Sequence, residues 1–309
     1  DYTLSADALR PRRRHGSYAR QALLDGLNFA REGMVNPFQF GFIGDTDTHN
    51  AAASHEEYNY TGKFAFENNP EHRLKGIEGQ PPAQAQQVRE FSSGGLAGVW
   101  SEQNSRESIF NAMLRRETFG TTGPRIRVRF FGGWDFSEAD GAARDFVHRG
   151  YTRGVPMGGD LQPVRKPGSP SFMVWAVKDP ASGNLDRIQI VKGWLGRDGK
   201  QFEKVYNVAW SGTRQPDAAG VLPPVGDTVD VAKATYENSI GAAELSAVWE
   251  DPDFEPGQHA FYYARVIEIP TPRWSTRDAA ALGITIKSGL ALTIQERAYT
   301  SPIWYTPDD

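Results

Sequence analysis

Hydrophobic and polar positions change their period along this chain. Between residues 17 and 33, Tyr18, Leu23, Leu24, Leu27 and Ala30 recur at helical spacing, and Gly33 suits the position just past a helix end. Pro37 bars continuation of that helix. The apolar run Phe38 to Ile43, interrupted by Gly41 and ended by Gly44, predicts a buried strand. Residues 51–95 are polar and rich in Gln, Asn, Pro and Gly, which predicts a long excursion. A short strand is expected over Leu96 to Trp100. Asn104 with Glu107 three residues on suggests a capping box for a helix that carries Ile109, Phe110, Met113 and Leu114 on one stripe and ends near Glu117.

Beyond Gly123-Pro124 the period shortens to two. Ile126 to Phe130 alternates as a half-buried strand does, and Phe172 to Val177, Ile188 to Val191, Val205 to Trp210 and Phe261 to Ile269 read similarly. Asp198-Gly199, between two such runs, is a hairpin signal. Short strands with Gly/Pro-rich turns predict a β-sandwich. The expected organisation is therefore α/β over residues 1–123 and all-β over 124–309. Trp175, Trp194, Trp210, Trp249, Trp274 and Trp304 read as core of the second part.

Composition narrows the class of protein. The 309 residues are 39% hydrophobic and 23% charged, which fits a folded globular chain. No run of about 18 apolar residues is present, so no membrane span is expected. With 34 Lys and Arg against 38 Asp and Glu, the net charge of −4 argues against general nucleic-acid binding. Cysteine is absent, which excludes disulfides, thiolate metal sites and a Cys nucleophile. The run Arg10, Arg12, Arg13 and Arg14 reads as a solvated connector.

Candidate chemistry gathers in Asp45-Thr46-Asp47-Thr48-His49-Asn50. After a strand, Asp47 and His49 would point to one face, since strand side chains have period two. A carboxylate plus a neutral imidazole suits Zn²⁺, Mn²⁺ or Fe. Spacing alone leaves turn chemistry as the plainer reading, because Asp and Thr both favour turns. An EF-hand loop fits worse. Asp45, Asp47 and Glu56 match it, but His49 and Asn50 do not, and no helix is expected just before Asp45. Arg125 and Arg127 read as outward residues of an alternating strand or as phosphate contacts, and His55 as a solvated loop histidine or a polar rim group.

Several longer segments carry a resemblance: Phe42 to Asn50, Gly95 to Trp100, Glu117 to Ile126, Leu185 to Gly193, Phe261 to Val266 and Ile294 to Tyr305. Together they resemble a bacterial family of unknown function related to the PHP (polymerase and histidinol phosphatase) metallophosphoesterases. The resemblance implies the end of a distorted (β/α)₇ barrel followed by a β-sandwich, with two or three divalent ions in the intact protein. Of the PHP metal motifs only the last, Asp-x-His, is matched, by Asp47 and His49. The early His-x-His is absent. The chain, which begins at Asp1 without Met, thus looks like the C-terminal part of a longer protein.

The implied activity is metal-dependent hydrolysis of a phosphate ester, completed by an upstream half of the same protein. Asp45, His55 and Arg125 are its candidate supporting or substrate-contacting residues. The implied partner is a phosphorylated small molecule, and the implied location is periplasmic or secreted, with the cytoplasm as the other option. The alternative is a β-sandwich binding or structural module without catalysis.

Overall fold

In the computed structural model, the described residues are 18–49, 51–75, 91–164, 168–286 and 291–308. The Arg10–Arg14 run falls outside them. They form a mixed α/β structure with three sheets.

The largest sheet has eight strands. Its centre is β10 (Ala260–Glu268), which pairs antiparallel along its whole length with β7 (Leu185–Leu195). Its other edge is shared by β13 (Arg297–Thr300) and β14 (Ile303–Tyr305). Outward from β13 lie β2 (Thr118–Thr121) and then β1 (Leu96–Val99); β14 pairs parallel with β5 (Asp160–Leu161), and β7 pairs with β8 (Gln201–Trp210). The second sheet runs β4 (Gly154–Pro156), β3 (Arg127–Gly133), β6 (Ser171–Val177), β9 (Glu244–Glu250), all antiparallel. The third is the small pair β11 (Thr271–Pro272) and β12 (Thr293–Ile294). Among the described residues no sheet closes into a barrel.

The two large sheets meet across one core. From the eight-stranded sheet come Ile188, Ile190, Tyr262, Ala264, Val266 and Ile303; from the four-stranded sheet come Val128, Phe130, Phe172, Val174 and Ala176. Burying one Phe or Ile of this kind contributes about 1.5–3 kcal/mol. The strands β1 and β2 belong to the same sheet as the strands that follow residue 124. On its opposite face β10 presents Phe261 and Tyr263 to helix α1 (Ala19–Arg31), which buries Leu23, Leu24 and Leu27 there.

Four sequence expectations need correction. Residues 38–43 are not a strand. They run extended across the outer face of the sheet, with the Phe42 amide donating to Ser301 Oγ and the Gly44 amide to Leu96 O. Phe38, Phe40 and Phe42 pack in sequence, Phe38 edge-on to Phe40 at 6.5 Å and Phe40 tilted against Phe42 at 5.9 Å, so side-chain packing replaces ladder pairing. Gly44 lies so close that a Cβ there would come within 2.5 Å of Thr121 O. Helix α3 (Arg106–Leu114), which follows the short α2 (Pro70–Lys75), is capped by Ser105 accepting from the Ser108 amide, and not by Asn104. Its expected apolar stripe is exposed: Phe110, Met113 and Leu114 face outward and only Ala112 is buried. The excursion after residue 50 is folded over residues 51–75, where Tyr60 and Leu74 pack with Trp274.

Sequence patterning also passes over α4 (Glu138–Gly141), α5 (Phe146–Arg153) and α6 (Trp274–Leu282). Trp304 and Trp274 are buried, but in the α1 layer and in the α6 cluster instead of between the large sheets. The Asp198-Gly199 hairpin is present, with Gly199 at φ +79° joining β7 to β8.

A buried ion pair ties the two large sheets together. Lys192 on β7 places Nζ 2.6 Å from Asp251 Oδ2, just after β9, and both residues are essentially inaccessible to water. The Tyr262 hydroxyl donates to the same carboxylate oxygen at 2.8 Å, and Lys192 also donates to Asp253 O. Removing one partner leaves a buried charge uncompensated, a loss of about 3–5 kcal/mol. Lys192→Met is therefore expected to lower unfolding stability by about that amount in urea titration, and Asp251→Leu added to it to restore much of the loss. A double variant as unstable as Lys192→Met would show that the pair does not act through uncompensated charge.

Candidate functional site

Asp47 and His49 sit on the irregular segment that follows the Phe42 packing. Thr46 is wedged against Gly94, and the Gly95 amide donates to Asp45 O, which fixes where the loop leaves the sheet. Asp47 has φ +51°, in the left-handed region that Asp tolerates better than most residues. The segment is not a strand, so the period-two reason for placing both side chains on one face does not hold. The two are nonetheless close enough to interact electrostatically.

Both side chains are exposed. The Lys63 ammonium donates to Asp47 Oδ2, and this hydrogen bond holds the carboxyl below its ordinary range. Lys63 also lies 5.5 Å from the Phe91 ring centroid. The His49 amide donates to Lys63 O at 2.7 Å, and its ring lies 4.8 Å from that of Phe64. Asp47, Lys63 and Phe91 line an open cavity of about 310 Å³. Asp45 lines it too, but its carboxylate accepts from the Thr46 amide.

Among the described residues no group of three or more His, Cys, Asp or Glu side chains converges to hold a metal. Two donors such as Asp47 and His49 are too few for a full coordination sphere.

His55 and Arg125 are brought together, in a different cavity of about 140 Å³. His55 Nδ1 bonds Gly123 O at 3.0 Å, and its Nε2 lies 3.0 Å from Arg125 Nη2 and 2.9 Å from Glu56 Oε1. His55 is thus held by three groups and is not a freely solvated loop residue. The Arg125 side chain remains 64% exposed. Arg127 is exposed at the start of β3.

Glu57, Asp179 and Glu296 line this cavity, and Glu268 bonds Ser182 of the same lining; the sequence singles out none of these carboxyl groups. Glu57 accepts from the Ser93 amide at 2.8 Å and the Trp274 amide at 2.6 Å, so its charge sits at the N-terminus of α6. Glu296 accepts from Thr122 Oγ1, and burial pushes its carboxyl well up. Glu268 accepts from Ser182 Oγ at 2.6 Å while its Oε1 has no partner, and burial raises its pKa to about 8. Asp179, also near, adds to that rise. Isolated acidic letters in strand-rich sequence carry no signal of this. Only the folded position removes their water.

A family model described as "Protein of unknown function (DUF3604)" matches residues 3–307, and the chain belongs to that family. A search of curated proteins finds no match.

Raised carboxyl pKa values have a defined consequence for stability. Between the unfolded value of 4.5 and about 8, folded Glu268 keeps a proton that the unfolded chain has lost. Stability is therefore full below the unfolded value and falls as pH rises toward 8, with a slope of up to about 1.4 kcal/mol per pH unit for this group. Glu268→Gln keeps the Ser182 contact and is expected to flatten the pH dependence of unfolding across that window. An unchanged slope in denaturant titrations at successive pH values would show that Glu268 does not carry it.

Proposed function

We propose that this chain is part of a metal-dependent hydrolase of phosphate esters, with Asp47 and His49 as its share of the metal ligands. The observation that carries this reading is that Asp47 lines an open cavity and that His49, two residues on, is exposed with its ring against Phe64. The resemblance of this stretch to the last PHP metal motif supports it.

Each residue has a role in that chemistry. Lys63 keeps Asp47 ionised, as a carboxylate ligand must be. An exposed neutral imidazole offers a ring nitrogen to a divalent ion. Lys63 itself is placed to neutralise a phosphate oxygen in the cavity. A bound divalent ion supplies a Lewis acid and a water of lowered pKa. The remaining ligands come from outside the described residues.

The test is elemental analysis of purified protein together with assay on phosphate monoesters. Wild-type protein is expected to hold at least about one equivalent of Zn, Mn or Fe per chain. His49→Ala is expected to lose metal and to reduce esterase activity by at least the roughly 10–100-fold that loss of a ligand's outer-shell partner costs. Protein purified from metal-supplemented culture with no bound transition metal would sink the reading.

A further inference from the structure

A third cavity, of about 690 Å³, opens on the outer face of the eight-stranded sheet where α1 begins. Its chemistry follows from strand register. Tyr263 and Arg265 alternate outward on β10 while Tyr262 and Ala264 point into the core, and Arg265 pairs directly with Tyr299 on β13. Arg297, two residues before Tyr299, joins the same face. Arg20 enters from the first turn of α1. Three guanidinium groups therefore meet around two tyrosine rings.

Their charges are poorly balanced. Arg20 donates to the Tyr263 hydroxyl and pairs with Glu203 at 3.2 Å. Arg265 spends Nε and one Nη on a neutral acceptor, Gln189 Oε1, at 2.9 and 2.6 Å. Arg297 Nε is buried with no hydrogen-bond partner. Neither Arg265 nor Arg297 has a carboxylate partner among the described residues. Burial, with help from Arg20 and Arg297, lowers the pKa of Arg265 despite the neighbouring tyrosines. A desolvated cation without a counter-ion is costly, and a bound anion removes that cost.

We propose that this cavity binds a small organic oxyanion, with Arg265 and Arg297 holding the charged group and the Tyr263 and Tyr299 side chains flanking its body. Guanidinium forks match phosphate, sulfate and carboxylate, which share this recognition chemistry. The cavity is within the range of small-molecule sites and far larger than an inorganic ion needs. This inference stands apart from the metal reading, because no residue here is a metal ligand.

Calorimetric titration of the whole chain with phenyl phosphate, phenyl sulfate and benzoate, and with benzyl alcohol as the neutral control, tests it. Saturable binding of at least one anion is expected, with the order among the three identifying the preferred oxyanion, and about tenfold or greater weakening in Arg265→Gln and in Arg297→Gln. Glu203→Gln removes a competing carboxylate and is expected to tighten binding severalfold. A chelator is expected to leave binding unchanged. Loss of binding in chelator would overturn the proposal and move the anion to the cavity lined by Asp47 and Lys63. Absence of saturable binding for all three anions, equal binding of benzyl alcohol, or indifference to Arg297→Gln would each overturn it. Circular dichroism and urea midpoints report whether the variants fold. If both Arg→Gln variants unfold, Glu203→Gln and the benzyl alcohol control decide.

Discussion

Strand β10 is buried on both faces, and that constraint organises the rest of the protein. A strand with Tyr262, Ala264 and Val266 on one side and Phe261 and Tyr263 on the other must be covered twice. The four-stranded sheet covers the first side, and α1 covers part of the second. Pairing with β7, β13 and β14 satisfies its backbone along both edges. The Lys192–Asp251–Tyr262 contacts then join the covering sheet to this centre with buried charge, which tolerates little displacement.

Both open cavities beside residues 42–48 arise at the edge of that covering. Helix α1 covers Phe261 and Tyr263, Tyr299 packs against the same cluster only in part, and a recess remains at the start of the helix beside Arg265. The aromatic run of residues 38–42 fills the neighbouring strip of sheet and ends at Gly44. The close approach of Gly44 to Thr121 and Leu96 sets the chain against β1 and β2. From there Asp45 to His49 are released as a loop beside Lys63. The same segment thus lines the arginine cavity with Phe42 and the Lys63 cavity with Asp47.

Much of the fold is legible from period alone. The spacing of Leu23, Leu24 and Leu27 gives α1, and the alternation of Ile126 to Phe130 and Phe172 to Val177 gives the paired strands β3 and β6. Period fails where packing is decided by something other than alternation. Phe38 to Ile43 is apolar enough for a strand, but its rings pack edge-on or tilted against each other and against Tyr263, and the Phe38 and Phe42 amides take side-chain partners. Phe110, Met113 and Leu114 have a helical stripe and form a helix, yet α3 touches the protein through Ala112. Asp47 and His49 are visible as a pair, whereas Lys63, sixteen residues on, is not.

The sequence by itself determined part of the local order: the helices α1 and α3, the alternating strands such as β3 and β6, and the closeness of Asp47 and His49 along the chain. It also placed Arg265 and Tyr263 on one side of a strand, because side-chain period is a property of the backbone. Only the tertiary structure decided that Arg20, Arg265 and Arg297 share a cavity, that β1 and β2 join the same sheet as β10 and β13, and that Glu268 and Glu296 lose their water. Those outcomes depend on contacts between residues far apart in the chain, and on the dielectric surroundings that such contacts create.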